Sequence, residues 1–219
     1  MQIDIYSDIV CPWCFVGKRR LERALTAVGG DIHVTWRPFQ LNPTMPHDGM
    51  DRTTYLKAKF GSLEAFGQMK EQLLAAGEEE QIPFAFEKIQ RTPNTFTAHR
   101  LVWYAALQGK QDEVVENLFG AYFLEGGNLG DVKTLAHVAV EAGLDRTETE
   151  EFLVSENGVV EVKSEEVVGR QLGIRGVPYF VLNDTVSISG AQPSDRFVAA
   201  LKQVERILAK KDQKAESAQ

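Results

Sequence analysis

The only two cysteines of the chain stand three positions apart, in Cys11-Pro12-Trp13-Cys14, where the hydrophobic period switches from two residues to a helical one. Upstream, Gln2-Ile3-Asp4-Ile5-Tyr6-Ser7 alternates polar and apolar residues and reads as a strand. Downstream, Phe15, Leu21, Leu25 and Val28 fall on one side of a helix over residues 14–28, with Lys18, Arg19 and Glu22 on the other, and Gly29-Gly30 ends it. A cysteine pair so close closes almost no loop, so chain stability is a poor reason for it. Pro12 suits the first helical position, where a missing N–H costs nothing, and this makes Cys11 the N-cap. A sulfur there faces unpaired backbone N–H groups and the positive end of the helix. Both favour the thiolate, the nucleophilic form. Cys14 lies one turn along, within disulfide reach.

The remaining segments extend this start into a fold. Ile32-His33-Val34-Thr35-Trp36 alternates again, so the first forty residues form a βαβ unit with parallel strands and a right-handed crossover. From Asn42-Pro43 onward the period becomes helical, over residues 51–60, 62–76, 94–108, 111–124, 131–142 and 146–155. Asp131, and Asp145 with Glu148, read as helix caps, while Gly77, Gly109 and Gly143 stand where helices should stop. After a helix over 159–172, Pro178 to Leu182 and Thr185 to Ser189 form a hairpin about a turn at Asn183-Asp184. A last helix starts near Pro193-Ser194 with Phe197, Leu201, Val204 and Leu208 inward, and the polar tail from Lys210 to Gln219 reads as frayed. The fold class expected is therefore α/β, a thioredoxin fold with an inserted all-helical domain. Its boundaries fall at residues 1–45 and 157–219 for the thioredoxin-fold domain and 46–156 for the insert. The acidic run Glu78-Glu79-Glu80 reads as a solvated loop.

Composition narrows the function. At 219 residues and 43% hydrophobic the chain can bury a core of this size, and its net charge of -7 offers no general attraction to phosphates. No nucleic acid partner is expected. No apolar stretch approaches the ~20 residues of a membrane helix, and Met1 stands before a strand without a basic, apolar leader, so the expected location is cytoplasmic, with no membrane partner. A zinc site would need further ligands in pairs, and His33, His47, His99 and His137 form none; no metal is expected. A cysteine protease leaves the second cysteine unexplained. Redox exchange uses both sulfurs, with Cys11 attacking and Cys14 resolving.

Cys-Pro-Trp-Cys after the first strand and Gly176-Val177-Pro178-Tyr179-Phe180 before the hairpin resemble the DsbA-like oxidoreductase family, especially its signal-less FrnE-like branch. Ser7 to Cys14, Trp36-Arg37-Pro38-Phe39, Thr97 to Leu101 and Ser189 to Pro193 look like the same branch. The resemblance implies a cis Val177-Pro178 bond beside Cys11 and a helical lobe over the cysteines, with Asn94-Thr95 at its cleft edge, although an ordinary helix cap is the plainer role of Asn94. It also implies that Val177 and Pro178 contact substrate, through the free Val177 backbone; Pro12 and Trp13 are further candidate contacts, Trp13 offering an apolar face beside the sulfur or, equally, packing as a core aromatic. The partners it implies are protein or small-molecule disulfides and thiols, with no bound cofactor and glutathione as a candidate co-substrate. The wider family includes proteins similar to 2-hydroxychromene-2-carboxylate isomerase and kappa-class glutathione transferases, which usually carry serine where Cys11 stands. Hence the alternatives are a glutathione-dependent isomerase or transferase acting on a small molecule, and a non-catalytic binding module. His99 is a candidate contact to glutathione, with surface or packing as its plainer role. Phe119, Tyr122 and Phe123 read either as core or as the interface of a homodimer.

Overall fold

The computed structural model describes residues 1–216. Strand β1 (Gln2–Ser7), helix α1 (Pro12–Val28) and strand β2 (His33–Pro38) form the opening βαβ unit. The chain then runs through β3 (Met50–Asp51), α2 (Arg52–Phe60), α3 (Leu63–Glu79), a 3₁₀ turn (Phe86–Lys88) and β4 (Arg91–Thr92). Four helices follow: α4 (Phe96–Leu107), α5 (Gln111–Phe123), α6 (Val132–Glu141) and α7 (Arg146–Val154). It returns through α8 (Val159–Gln171), β5 (Tyr179–Leu182), β6 (Val186–Ser189) and α9 (Ser194–Glu216). The main sheet has the order β2-β1-β5-β6, with β1 parallel to β2 and antiparallel to β5, and β5 antiparallel to β6. This is a thioredoxin sheet with a helical subdomain inserted between its second and third strands in chain order.

Alternation on β1 sends Ile3 and Ile5 into a core shared with Phe180 and with Phe197 of α9. Tyr6 points to the opposite face, where it packs with Phe39 and Ile174. A Cβ on Gly169 would lie 2.8 Å from the Tyr6 ring, so glycine is what lets α8 approach that face. Phe119, Tyr122 and Phe123 are wholly buried, with Phe119 stacked on Phe15 at 5.0 Å, so all three are core and none is free for a homodimer interface. Among the described residues no helix is long and apolar enough to cross a membrane.

Several local expectations are corrected. On the polar side of α1, Lys18 is 3% exposed and pairs with Glu22, Asp112 and Glu116, while the part-exposed Arg19 pairs with Glu22 and Glu116. The polar side of α1 is an electrostatic seam against α5. In the Glu78-Glu79-Glu80 run, Glu78 and Glu79 are solvated as expected but at the end of α3 rather than in a loop, Glu79 pairing with Arg20, whereas Glu80 is buried and accepts from Arg20 and Arg23 of α1. Helix α3 continues past Gly77 to Glu79. A Cβ at Gly77 would sit 2.6 Å from the Phe84 ring and 2.8 Å from the Ile82 carbonyl oxygen, so this glycine serves close approach rather than termination. Helix α9 likewise runs through Lys210 to Glu216, and the expected fraying of 217–219 falls outside the described residues. The caps at Asp131 and Asp145 form as expected, accepting from the N–H groups of Thr134 and Glu148 at 3.1 and 2.9 Å.

Two joints tie the insert to the sheet. The Gln111 side chain of α5 accepts from the Trp36 N–H at 2.9 Å and donates to the Trp36 carbonyl at 3.0 Å, closing the outer edge of β2 as another strand would. Arg100 of α4 is buried and donates to the carbonyls of Phe152, Leu153, Ser155 and Asn157, where α7 ends and the chain turns toward α8.

Candidate active site

Strand β1 delivers Cys11 to the start of α1, and Pro12 occupies the first turn. Cys11 has extended backbone angles, φ -93° and ψ 109°, as an N-cap requires, and its carbonyl accepts from the Cys14 N–H at 3.0 Å. Its thiol makes no cap bond to the helix. Instead Sγ lies 3.6 Å from the Val177 carbonyl oxygen, to which it donates. The Val177–Pro178 bond is cis, and Pro178 is buried while Val177 is half-buried. A Cβ on Gly17 of α1 would meet Phe180 and Pro178 side-chain atoms at 3.1 Å. The absence of a side chain there seats the Val177-Pro178 segment against the first turns of α1, and so against Cys11.

Both cysteines are free thiols, and they differ in environment. Cys11 is 5% exposed and Cys14 1%. Burial holds the Cys14 thiol well above its ordinary range and the neighbouring Cys11 sulfur adds to this, while the polar Ser7 side chain and Asp8 backbone nearby pull only partly the other way. Pro12 and Trp13 are half-buried on the rim, and Trp13 packs its inner side on the core.

The structure thus brings Cys11, Cys14 and Val177 into one cluster, with Pro178 beside it. Asn94 is a different matter. Its side chain accepts from the Phe96 N–H at 2.9 Å and from Gln40 at 3.2 Å, and donates to the Met45 carbonyl at 2.7 Å. It ties the loop after β2 to the start of α4.

The sequence offers His99 a surface, packing or glutathione-contact role and singles out nothing at Asp8. His99 is 4% exposed, and its Nε2 lies 3.4 Å from Oδ1 of the wholly buried Asp8. The other Asp8 oxygen accepts from the Leu41 N–H at 2.7 Å. The one signal available in the sequence was Asp8 itself, a carboxylate set directly before apolar Ile9-Val10 and three positions ahead of Cys11.

A dithiol at the strand–helix junction of a thioredoxin sheet, with one of its two buried sulfurs against the carbonyl that precedes a cis proline, defines a thiol-disulfide oxidoreductase of the DsbA-like type. Comparison with known proteins carries this from class to family. The model of the DSBA-like thioredoxin domain matches residues 2–202, and the chain belongs to that family. It is 31% identical over 209 residues to the uncharacterized protein YwbO of Bacillus subtilis (strain 168), covering 92% of this chain and 96% of that one. Among solved structures it is similar to a probable DsbA oxidoreductase from Streptomyces coelicolor, with 35% identity, a TM-score of 0.86, and coverage of 93% of this chain and 89% of the other. A 2-hydroxychromene-2-carboxylate isomerase shares the fold at 18% identity and a TM-score of 0.70, over 97% of this chain and 98% of its own.

Proposed function

We propose that Cys11 is the attacking sulfur and Cys14 the resolving one in a two-step exchange. The Cys11 thiolate attacks a substrate disulfide, forming a mixed disulfide and expelling one substrate thiolate, which takes up a proton. Cys14 then loses its proton and attacks Cys11, forming the Cys11–Cys14 disulfide and expelling the second thiolate, which is protonated in turn. Two electrons pass from the dithiol to the substrate disulfide; the oxidised pair reverses the sequence on a substrate dithiol. The observation that carries this assignment is the asymmetry between the two sulfurs. Both sulfurs are buried, but Cys11, at the helix N-cap, lies against the Val177 carbonyl, whereas Cys14, one turn further in, has its thiol form favoured by burial.

In this reading Pro12 and Trp13 present an apolar lip to the substrate, and Val177 and Pro178 position its backbone beside Cys11. The substrates are protein or small-molecule disulfides and thiols, with glutathione as a co-substrate. The family resemblance supports placing the chain on the FrnE-like branch and in the cytoplasm, where a reducing setting leans toward reductase or isomerase work. The same reading divides the chain at 1–45 and 157–219 for the thioredoxin half and 46–156 for the helical insert. Retention of both thiols speaks against glutathione-dependent isomerisation, since the second sulfur would then have no task.

Thiol trapping across a glutathione redox series tests the assignment. Cys11 and Cys14 should interconvert as a pair, and Cys14→Ala should accumulate a mixed disulfide on Cys11. Exchange that persists in Cys11→Ala would sink it.

A further inference from the structure

The loop that brings Val177 to Cys11 carries a cation. Arg175 lies two positions before Val177, whose carbonyl oxygen is 3.6 Å from the Cys11 sulfur. Two residues of extended chain span at most about 7 Å, so the backbone of Arg175 stays within that distance of the residue that touches Cys11. Its place is fixed from both sides. Before it, Ile174 is 5% exposed, packs with Tyr6 and Phe39, and donates its N–H to the Gly169 carbonyl at 3.3 Å. After it, Pro178 is buried, and its carbonyl accepts from the Gly190 N–H at 2.8 Å. Between these anchors Arg175 itself is exposed.

The charged groups around this loop are otherwise engaged. Arg170, at the end of α8, donates to the Gln40 carbonyl at 3.3 Å and lies over the Phe39 ring at 5.0 Å. Glu166, one turn earlier on the same helix, accepts from the Gln40 N–H at 3.0 Å. Asp8 is wholly buried and accepts from the Leu41 N–H at 2.7 Å. Elsewhere Arg20, Arg23 and Arg37 hold carboxylates, and Arg100 holds four carbonyls. Arg175 makes no ion pair and no side-chain hydrogen bond among the described residues. On a chain of net charge -7, it is a local patch of opposite sign beside the reacting sulfur, open to a charge that arrives with the substrate.

We propose that Arg175 selects disulfides that carry a carboxylate close to the sulfur attacked by Cys11. The proposal rests on the assignment of Cys11 as the attacking sulfur and of Val177 as the segment that positions the substrate backbone. A substrate strand laid along Val177 advances about 3.3 Å per residue, so the position it offers to Arg175 is about two residues from its own cysteine. An Asp or Glu there, or a terminal carboxylate of glutathione, meets the guanidinium through two parallel N–H···O bonds. Neutral and cationic disulfides gain nothing from it. The exchange of sulfur bonds and electrons is the one already described; Arg175 acts on which disulfide enters it.

The test follows loss of the free dithiol in the reduced full-length protein, by mass spectrometry of acid-quenched samples. The probes are glutathione disulfide, a peptide disulfide with Glu two residues from the cysteine, the same peptide with Gln, neutral hydroxyethyl disulfide, and cationic cystamine. Rates are taken relative to hydroxyethyl disulfide. In Arg175→Gln the relative rates on the Glu peptide and on glutathione disulfide should fall about threefold to fivefold at low salt, the size of a well-formed exposed ion pair, with the Gln peptide unchanged. The loss should vanish near ~1 M salt, where the screening length is ~3 Å. Arg175→Glu should lose more and should raise the relative rate on cystamine, while Arg175→Lys should keep part of the preference. A loss on only one of the two carboxylate-bearing probes supports the proposal and names its source. Relative rates unchanged to within about 1.5-fold in Arg175→Gln and Arg175→Glu overturn it, as does equal slowing on every probe, which would place the effect on the Cys11 sulfur. Exchange that survives Cys11→Ala would instead overturn the assignment beneath it.

Discussion

Replacing Arg100 by alanine should unsettle the joint between the helical insert and the returning thioredoxin half. The guanidinium reaches the Leu153 carbonyl at 3.1 Å, the Phe152 carbonyl at 3.0 Å, and the Ser155 and Asn157 carbonyls each at 2.7 Å. It also lies over the Phe152 ring at 5.1 Å. Phe152 retains the Ser155 hydroxyl as a donor, so the carbonyls of Leu153, Ser155 and Asn157 lose their charged partner. An unsatisfied buried acceptor costs about 1–3 kcal/mol, but Ser155 is half-buried and Asn157 exposed, so water can reach two of the three. The low end of the sum applies, about 3 kcal/mol. For a chain of this length that lowers Tm by about 6–12 °C. Urea unfolding followed by circular dichroism should show the midpoint falling with the slope m unchanged. Arg100→Lys should recover less than half, because an ammonium offers a point charge where a planar fork is needed. A loss below about 1 kcal/mol in Arg100→Ala would refute the reasoning, since it would mean that the α7 end is satisfied without the guanidinium.

The other expectations concern the seams around the site. Lys18→Met should cost about 2 kcal/mol at pH 7, less than the 3–5 of a fully buried pair because the partner carboxylates remain part-solvated. Lys18 is raised above its ordinary 10.5 because, against the lowering by burial, Asp112, Glu22 and Glu116 hold its charge; Glu116 lies below 4.5 because, against the raising by burial, Arg19 and Lys18 hold its own. The difference between wild type and variant should therefore be flat between those ordinary values, shrink as pH rises through the raised Lys18 value, and shrink as pH falls through the lowered Glu116 value, read as urea midpoints across pH. Gly17→Val should cost about 1–3 kcal/mol by overpacking, and should change the rate of Cys11 alkylation because α1 must move off Pro178; an unchanged rate would count against the seating role of Gly17. Gln111→Ala should cost about 1–2 kcal/mol and speed hydrogen exchange at the Trp36 amide, whose acceptor it removes.

Elements whose stability is local were legible in the sequence. The opening βαβ unit, the hairpin and the caps at Asp131 and Asp145 follow from alternation, helical spacing and side chains reaching three residues along the chain. What could not be read were contacts made across the chain. A helical wheel sorts Lys18 as outward because it cannot know that α5 brings Asp112 and Glu116 to meet it. Glu80 and Gly77 were misread for the same reason: their partners, Arg20, Arg23 and Phe84, are distant in sequence or beyond the helix end. The two-residue strands β3 and β4, which pair Met50 with Thr92, have no periodicity to show. At the site, Cys11 and Cys14 stood out by chemistry and spacing, whereas the Asp8–His99 pair joins a loop to a helix more than ninety residues away.

The contact between Cys11 and the Val177 carbonyl spans 166 residues of chain. During synthesis at about 5–20 residues per second, the nascent protein carries its two thiols for roughly 8–33 s before the segment that shelters Cys11 has even been made. Through that interval β1 lacks β5 along one side, and the first forty residues have half a sheet to fold on. Pairing of β1 with β5 is the step with the greatest loop to close, so the insert, whose contacts are mostly between neighbouring helices, is free to form first. The newborn dithiol is thus open to oxidants and to other nascent chains before its active site is complete. A purely N-terminal fragment ending before Val177 would carry the cysteines without the carbonyl that orders them.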